Sequence, residues 1–158
     1  MGRLQRELRQ NRPFQSTAHE AVVGLIRTAD LVRRHMTALV EPHGITLQQF
    51  NVLRILRGAD TEARDGVPTL EIADRMIEQT PGVTRLLDRL EAKELVRRQR
   101  CPKDRRQHLC WITPKGLALL QKLDEATLRS HEDSMKGLKT KDRATFIRLM
   151  EAIRAPHQ

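Results

Sequence analysis

Two short helical patterns stand almost directly one after the other between residues 68 and 92, and this arrangement limits the possible folds more than any other feature. In the second pattern Thr80 can cap the helix, and Pro81 suits its first turn. The apolar residues of that pattern recur at i, i+3, i+4 and i+7 and so share one face: Val83, Leu86, Leu87 and Leu90. Only Glu78 and Gln79 separate the two patterns, which predicts a helix-turn-helix.

The first of the two patterns begins at Pro68 and Thr69. Four of its apolar residues are predicted to face inward: Leu70, Ala73, Met76 and Ile77. Residues 59 to 67, which precede it, are polar and predict a loop. That loop follows another helix, which Thr46 and Gln49 open with capping-box spacing and which ends near Gly58.

The sequence period changes after the second pattern, from Leu95 onward. Residues 95–101 and 107–113 predict two strands, since β-branched and aromatic residues such as Trp111 and Ile112 favour a sheet. A charged turn joins them, and it contains Pro102, Lys103, Asp104, Arg105 and Arg106. The two segments therefore predict a β-hairpin with a basic tip.

Longer helical patterns flank this lobe on both sides. Ser16 or Thr17 can cap the first, which runs to about Val40 and is ended by residues 41–44. Pro114 opens another, and a last helix follows a break at 136–139. We predict a mainly α protein with a small β-hairpin wing, that is, a winged helix-turn-helix embedded in helices. One continuous domain would comprise a basic N-terminal arm (1–15), a first long helix (16–45), the winged lobe (46–116) and C-terminal helices (117–158).

Composition agrees with a helical core and indicates the kind of partner. Hydrophobic residues make up 39% of the 158 residues, but aromatic residues only 3%, which suits helix-on-helix packing. The net charge is +9, and residues 80–116 carry most of it, with ten basic and four acidic groups. A local basic stripe of this kind is typical of a protein that binds a polyanion, although it can also be a solvated basic surface.

Several classes of function are not supported by the residues present. No apolar run approaches the roughly 20 residues that span a bilayer, so we predict no membrane partner and a cytoplasmic location. Cys101 and Cys110 form no C-x-x-C motif, and we predict no metal site and no cofactor. His131, Glu132 and Asp133 are consecutive, so a helix would not direct all three at one metal. Cys101 and His108 as nucleophile and base lack an acid partner, and we predict no enzyme.

The outer face of the second pattern carries the side chains suited to DNA. A major groove about 12 Å wide admits one helix, whose N-terminal residues reach base edges. Gly82 and Thr84 would let the first turn approach, and Arg85 and Arg89 would offer forks suited to guanine or phosphate. Asp88 would orient Arg85 or accept from cytosine. Pairing among these charges on a solvated surface is the alternative.

The hairpin would add contacts beside that helix. Arginine at a hairpin tip can enter a narrow minor groove, and Asp104 can brace Arg106 by a charge-assisted hydrogen bond. Arg98 would meet phosphate or be solvated. The predicted DNA-binding set is Thr69, Thr80, Gly82, Thr84, Arg85, Asp88, Arg89, Arg98, Lys103, Asp104, Arg105 and Arg106.

These segments resemble the MarR family of regulators (multiple-antibiotic-resistance type). The resemblance lies in PGVTRLLDRLEAKELVRR, in KDRRQHLCWITPKG and in the earlier GITLQQFNVLRIL and TLEIADRM, and it covers roughly residues 17–155. Its most specific part is Asp104-x-Arg106 followed by Ile112-Thr113-x-x-Gly116. It implies a dimeric DNA-binding transcription regulator, usually a repressor. Residues 16–45 and 117–158 would then be dimerisation helices, and the DNA site a pseudo-palindrome.

The resemblance also implies an effector and exposes one departure from the family pattern. MarR regulators often bind small aromatic or anionic ligands between the dimer helices and the DNA-binding lobe. Candidates here are Arg33, Arg34, His35, His43 and Arg54, each of which can also be an ordinary surface residue. Where the family usually has glycine after the recognition helix, this chain has Glu94, which predicts either a strained left-handed cap or another geometry.

Two alternatives remain open at this stage. The basic surface could belong to a helical interaction module for an RNA or protein partner, whose binding would ignore DNA sequence. Cys101 and Cys110, if they lie on facing strands of the wing, could be redox partners, but a role as small apolar strand residues is the prediction.

Overall fold

A computed structural model describes residues 2–59, 66–79, 81–102, 104 and 107–157. It contains the following helices and strands, in chain order: α1 (Arg3–Glu7), α2 (Thr17–Val40), α3 (Leu47–Ala59), β1 (Val67–Pro68), α4 (Thr69–Arg75), α5 (Val83–Ala92), β2 (Val96–Arg100), β3 (His108–Ile112), α6 (Pro114–Met135) and α7 (Thr140–Arg154). Short 3₁₀ turns follow α2 at Glu41–His43 and α7 at Ala155–His157. The predicted order of helices and the wing is confirmed.

The long helix α2 begins and ends as predicted. Ser16 provides the cap, because its hydroxyl accepts a hydrogen bond from the His19 N–H at 3.1 Å. At the other end Gly44 adopts a left-handed conformation with φ of 71° and closes the 3₁₀ turn. The short helix α1 was not predicted. It lies within the basic arm, and its Leu4 side chain reaches the Gly24 position of α2.

Helix α3 opens with the predicted capping box. The Thr46 N–H donates to Gln49 Oε1 at 3.0 Å, and the Gln49 N–H donates to Thr46 Oγ1 at 3.2 Å. These reciprocal bonds satisfy two backbone donors that would otherwise lack a partner at the helix start. They also account for the near-complete burial of Gln49, a polar side chain.

The small sheet has three strands, where a two-stranded hairpin was predicted. Its order is β1-β3-β2, with both pairings antiparallel. The added strand places Val67 opposite Cys110, and Pro68 stands at the sheet edge, where a residue without an N–H is tolerated. The loop prediction for 59–67 therefore needs correction at both ends, since Ala59 still belongs to α3. Residues 60–65 lie outside the described part.

The core lies where α3, α4, α5 and the sheet meet the first half of α6. Its fully buried large side chains are Val40, Val52, Leu53, Leu56, Ile72, Leu87, Leu90, Val96, Cys110, Leu120 and Leu123. Within α4 the predicted inward face is partly wrong, because Leu70 and Ile77 are 70% and 85% exposed while Ile72 is fully buried. Leu70 lies two residues before Ile72, about 200° around the helix. Ile77 follows the helix end, so the helical period no longer applies to it.

The two C-terminal helices differ in how they pack. Leu120 and Leu123 anchor α6 in the core, whereas α7 has no buried residue. Ile147, Leu149 and Ile153 of α7 are each more than half exposed. Among the described helices, none is long and apolar enough to cross a membrane.

Candidate nucleic-acid interface

Helix α5 presents one apolar face to the core and one polar face to solvent. Val83, Leu87 and Leu90 are buried, as the spacing predicted. The polar residues Thr84, Arg85, Asp88 and Arg89 are all exposed on the opposite side. The structure thus brings the four predicted contact side chains of this helix onto one accessible surface.

The start of α5 depends on glycine geometry. Gly82 is the N-cap with φ of 97°, a conformation that L side chains rarely adopt. Its carbonyl accepts from the Arg85 N–H at 2.9 Å, so Pro81 lies before the helix and not in its first turn as predicted. Thr80, predicted as the cap and as a DNA contact, lies outside the described residues. Gly82 is therefore needed for backbone conformation as well as for its small size.

The turn before α5 is tied to two other helices. Asn51 of α3 accepts a hydrogen bond from the Ile77 N–H through its Oδ1 at 2.9 Å. Glu78 accepts from Gln48 Nε2 at 3.5 Å and lies 3.8 Å from the Arg33 guanidinium of α2. These contacts fix the turn, and with it the starting point of the recognition helix, against α2 and α3.

The end of α5 is a left-handed cap at Glu94, with φ of 59°. The Glu94 N–H donates to the Glu91 carbonyl at 2.8 Å and the Leu95 N–H to the Leu90 carbonyl at 3.0 Å, which is a Schellman motif formed without glycine. The Thr113 hydroxyl donates to the Glu94 carbonyl at 2.7 Å, and Lys115 Nζ lies 2.8 Å from the carboxylate. The hydrogen bond from Lys115 lowers the pKa of Glu94.

The Ile112-Thr113-x-x-Gly116 signature has a structural explanation at this point. Thr113 caps α6, because its Oγ1 accepts from the Gly116 N–H at 3.1 Å while its own hydroxyl donates to Glu94. A Cβ atom on Gly116 would lie 2.4 Å from the Leu95 carbonyl oxygen. The residues of this signature therefore lie where the end of α5, the wing and the start of α6 pack most closely together.

Arg98 of β2 joins the wing to α5. Its Nε and Nη2 lie 2.9 and 2.7 Å from Glu91 Oε2, and Nη2 also lies 2.5 Å from Asp88 Oδ1. The Arg98 side chain is only 17% exposed. Burial lowers the pKa of Arg98, but its hydrogen bonds to Glu91 and Asp88 outweigh this, and the net direction is upward.

These contacts correct two predictions. Arg98 was expected to meet phosphate or solvent, but its guanidinium is held by two carboxylates of α5. Asp88 was expected to orient Arg85 or to accept from cytosine, and in the structure it pairs with Arg98. The partner of Asp88 therefore lies on the wing.

The wing forms as the predicted β-hairpin. Val96 stands opposite Ile112, Arg98 opposite Cys110 and Arg100 opposite His108. Near the tip, the Cys101 N–H donates to the Gln107 carbonyl at 2.9 Å, and the Gln107 N–H donates to the Asp104 carbonyl at 2.9 Å. Three predicted contacts at the tip lie outside the described residues: Lys103, Arg105 and Arg106. The predicted brace between Asp104 and Arg106 therefore stays a prediction.

Thr69 and the two cysteines lie near this sheet. The Thr69 hydroxyl donates to the His108 carbonyl at 3.3 Å, so it joins α4 to β3. Cys110 is fully buried, and burial raises the pKa of its thiol. Both cysteines are free. Cys110 lies on β3 opposite Arg98 and Cys101 directly follows the facing strand β2, so the two residues are not directly opposite each other.

The five predicted ligand-binding residues do not surround a shared cavity in the described part of one chain. Arg33 and Arg34 both pair with Asp30, at 2.9 and 3.2 Å, and Arg54 lies over the Phe50 ring at 5.8 Å. His35 is exposed and His43 is half-buried. One surface groove lies between α5 and the wing and another lies beside α1 and α2, and neither is lined by any of the five. The same part of the chain contains no cluster of three potential metal ligands.

Comparisons with known proteins identify the lobe and the fold. The MarR family model matches residues 45–108. A crystal structure of a MarR transcription factor from Planctomyces limnophilus is 37% identical, covers 89% of this chain and 99% of its own, and superposes with a TM-score of 0.67. The HTH-type transcriptional regulator MhqR of Bacillus subtilis is 32% identical over 96 residues, which are 61% of this chain and 63% of MhqR, somewhat less than two thirds.

A third comparison extends the fold similarity to a protein with low identity. The BpsR structure from Bordetella bronchiseptica superposes with a TM-score of 0.73 at 22% identity, over 85% of this chain and 98% of BpsR. It concerns regulation of DNA binding by 6-hydroxynicotinic acid in that protein. The relatives that match in sequence are transcription regulators and not enzymes. With 37% identity across nearly the whole of the Planctomyces limnophilus chain, and with its own winged lobe matched by the family model, this chain belongs to the MarR family.

Proposed function

We propose that the protein is a homodimeric transcription regulator that binds a specific pseudo-palindromic site in double-stranded DNA. The observation that carries this proposal is the exposed face of α5, where Thr84, Arg85 and Arg89 stand together opposite a buried apolar face. A helix of this kind on a winged helix-turn-helix lobe can enter the major groove. Residues 80–116 also hold most of the net positive charge, which favours a polyanion.

Within this proposal the contacts divide by role. Arg85 and Arg89 would read base edges or clamp phosphates, and Gly82 and Thr84 would allow close approach. The wing tip, with Lys103, Asp104, Arg105 and Arg106, would serve the adjacent minor groove. Thr69 and Thr80 would support the backbone contacts near the start of each helix.

The dimer is supported by apolar surface that one chain leaves uncovered. Large hydrophobic side chains on three helices are more than half exposed, and they are Val22, Ile26, Leu128, Ile147, Leu149 and Ile153. Such an extent of exposed apolar surface typically marks an interface. A two-fold dimer would place two α5 helices about one DNA turn, roughly 34–36 Å, apart.

We also propose that a small aromatic or anionic molecule controls DNA binding, and that the protein is a repressor. This extension rests on family membership and on BpsR, whose DNA binding responds to 6-hydroxynicotinic acid. Arg33, Arg34, His35, His43 and Arg54 remain the candidate ligand residues. Arg33 is the best placed to transmit binding, because it lies 3.8 Å from Glu78 in the turn before α5.

The experiment that tests the function is selection of bound sequences from random double-stranded DNA at about 150 mM salt. Enrichment of a pseudo-palindrome with half-sites about one helical turn apart supports the dimeric regulator. Binding without enrichment would leave only a basic surface, and preference for RNA would favour the helical interaction module.

The selected site then permits a test of base reading by Arg85. We expect Arg85→Ala to weaken binding to that site by about 1–3 kcal/mol and to relax base preference, while binding to random DNA changes little. Arg129→Ala is the matched control, since Arg129 is an exposed helical arginine on α6 that pairs with Glu125 one turn earlier, at 2.9 Å. Fluorescence anisotropy with both DNAs measures the difference. An equal loss on both DNAs would contradict base reading.

A further inference from the structure

We infer that Arg98 is a positioning residue that sets the wing against the recognition helix and withdraws the charge of Asp88 from the DNA surface. The inference rests on the proposed function, because it assigns Arg98 a role within the same DNA-binding surface. It differs from the prediction that Arg98 itself meets phosphate or solvent.

Arg98 links β2 to α5 through both its main chain and its side chain. Its backbone N–H donates to Glu91 Oε1 at 3.0 Å, and its guanidinium donates twice to Glu91 Oε2. One glutamate therefore binds both the main chain and the side chain of the central residue of β2. Such multiple charge-assisted bonds to a delocalised guanidinium define a direction as well as a distance.

The contact with Asp88 has a separate electrostatic consequence. Asp88 lies between Arg85 and Arg89 on the exposed face of α5, where an unpaired carboxylate would repel phosphate. Arg98 Nη2 lies 2.5 Å from its Oδ1, so the carboxylate is paired with a cation of the wing. The charges that remain for DNA on this face are those of Arg85 and Arg89.

The positioning role and direct phosphate binding predict opposite changes in DNA affinity when the charge of Glu91 is removed. If Arg98 contacts phosphate directly, neutralising Glu91 frees Arg98 and removes a repulsive charge, so DNA binding becomes tighter. If Arg98 positions the wing, neutralising Glu91 removes the ion pair between Arg98 and Glu91, and DNA binding becomes weaker. Glu91→Gln keeps the size and the amide can still accept from the Arg98 N–H, so the change is mainly one of charge.

The experiment measures DNA affinity, with the selected site, for Glu91→Gln, Asp88→Asn and Arg98→Lys. We expect Glu91→Gln and Arg98→Lys to weaken specific binding about tenfold, the size of one good contact. Footprinting should show protection lost beside the wing and retained in the major groove under α5. The matched control is Asp124→Asn, which breaks the Arg57–Asp124 pair of 2.8 Å between α3 and α6, away from this surface, and should leave affinity unchanged.

A second measurement needs no DNA and therefore separates this inference from the proposed function. Amide hydrogen exchange of β2 and β3 in the free protein should be faster in Glu91→Gln than in the wild type or in Asp124→Asn. Faster exchange in Glu91→Gln, together with no DNA binding by the wild type, would support the structural link between Arg98 and Glu91 but overturn the proposed function. Unchanged exchange, or tighter binding by Glu91→Gln when Arg85→Ala loses specific binding, would overturn the positioning role alone.

A charge exchange completes the test without depending on the stability of a single variant. The pair Arg98→Glu with Glu91→Arg is made together with Asp88→Asn, so that the introduced glutamate does not meet the Asp88 carboxylate. It restores an ion pair in reversed orientation, and we expect it to recover part of the affinity that either charge change removes alone in that background. Recovery is not expected from a direct phosphate contact, because a glutamate at position 98 would repel DNA. No recovery, together with normal hydrogen exchange in the combined variant, would contradict the inference.

Discussion

At the scale of single residues, two positions shape the junction of recognition helix, wing and α6: one by its backbone conformation and the other by the absence of a side chain. Glu94 occupies a left-handed conformation that glycine adopts more readily, whereas Gly116 has no space for even one added carbon. The strain at Glu94 is accompanied by the Thr113 hydrogen bond to its carbonyl and the Lys115 ion pair to its carboxylate. The family pattern at the helix end is thus preserved in geometry, although its usual residue is absent.

The strain at Glu94 predicts an order of stability between two substitutions. A left-handed conformation costs a non-glycine residue about 1–2 kcal/mol, and the greater chain entropy of unfolded glycine offsets about 0.5–1 kcal/mol of that. We expect Glu94→Gly to be more stable than Glu94→Ala by about 0.5–1 kcal/mol, since both remove the Lys115 pair. Urea denaturation at one fixed protein concentration measures the difference. Greater stability of the alanine variant would show that this position is not left-handed.

The close approach at Gly116 predicts a larger loss. In Gly116→Ala the Cβ would lie 2.4 Å from the Leu95 carbonyl oxygen and 2.8 Å from Ile112 Cγ1. We expect a loss of about 1–3 kcal/mol from overpacking, and faster hydrogen exchange in the wing. Gly58→Ala in α3 is the control, because among the described residues nothing beyond its chain neighbours and its own helix backbone lies within 4 Å of its Cβ position, and it should be neutral or slightly stabilising. Similar effects of the two substitutions would argue against the tight junction.

At the scale of elements, the spacing of apolar residues predicted the buried face correctly in helices of several turns. Val83, Leu87 and Leu90 were predicted inward and are buried, and the Thr46–Gln49 capping box forms as expected. Helix α4 has only seven residues, so the same reasoning placed Leu70 and Ile77 inward although both are exposed. Strand β1 is two residues long and exists only because β3 supplies its partners, which no local pattern reveals.

The DNA-binding surface was predictable in outline but not in its internal pairing. Which arginines face outward on α5 follows from the helical period, whereas the partner of Arg98 depends on strand register and on the angle between β2 and α5. Register and angle are tertiary properties. They bring together Arg98, Asp88 and Glu91, whose side chains are 17% to 54% exposed. Charge counting therefore located the basic surface but did not reveal that one of its arginines, Arg98, pairs with two carboxylates of α5.

Helices α3 and α6 are joined by an ion pair whose contribution should depend on pH. The hydrogen bond from Arg57 lowers the pKa of Asp124. A lowered native pKa means that the pair stabilises the fold above the unfolded carboxyl pKa of about 3.9, and that this contribution is lost as pH falls through the lower native value. Because Asp124 is about half exposed, screening limits the effect to about 0.2–1 kcal/mol.

Asp124→Asn tests this element-level contact. We expect a small loss of stability at pH 7 that disappears as pH falls through the lowered native pKa of Asp124, where the wild-type carboxyl becomes protonated. Denaturant midpoints across the pH range at low salt measure it. Asp142→Asn on α7 serves as a comparison carboxylate in the first turn of another helix. A loss that grows as pH falls would contradict the direction of the shift.

At the scale of the whole molecule, charge and apolar surface lie in different regions. The basic excess lies in α5 and the wing, whereas exposed hydrophobic residues lie mainly on α2, α6 and α7. A single chain leaves α7 with no buried residue, although its apolar residues recur at helical spacing. Pairing through these helices would cover the apolar surface and leave two basic lobes free to bind one DNA duplex, which is what two-fold recognition requires.

Ile147→Asp tests the proposed dimer interface by placing a charge among the exposed apolar residues of α7. Burial of one isoleucine contributes about 1.5–3 kcal/mol, and a two-fold interface contains the residue twice. Because Ile147 is 52% exposed in one chain, the dimer would bury about half of it, and the two changes together remove at least about 1.5 kcal/mol. We therefore expect the dimer dissociation constant to rise at least about tenfold. Leu70→Asp makes the same chemical change at a residue that is 70% exposed on the DNA-binding lobe, and should leave the dimer intact. Sedimentation velocity over a range of concentrations distinguishes the two, and a dimer equally stable in both variants would place the interface elsewhere.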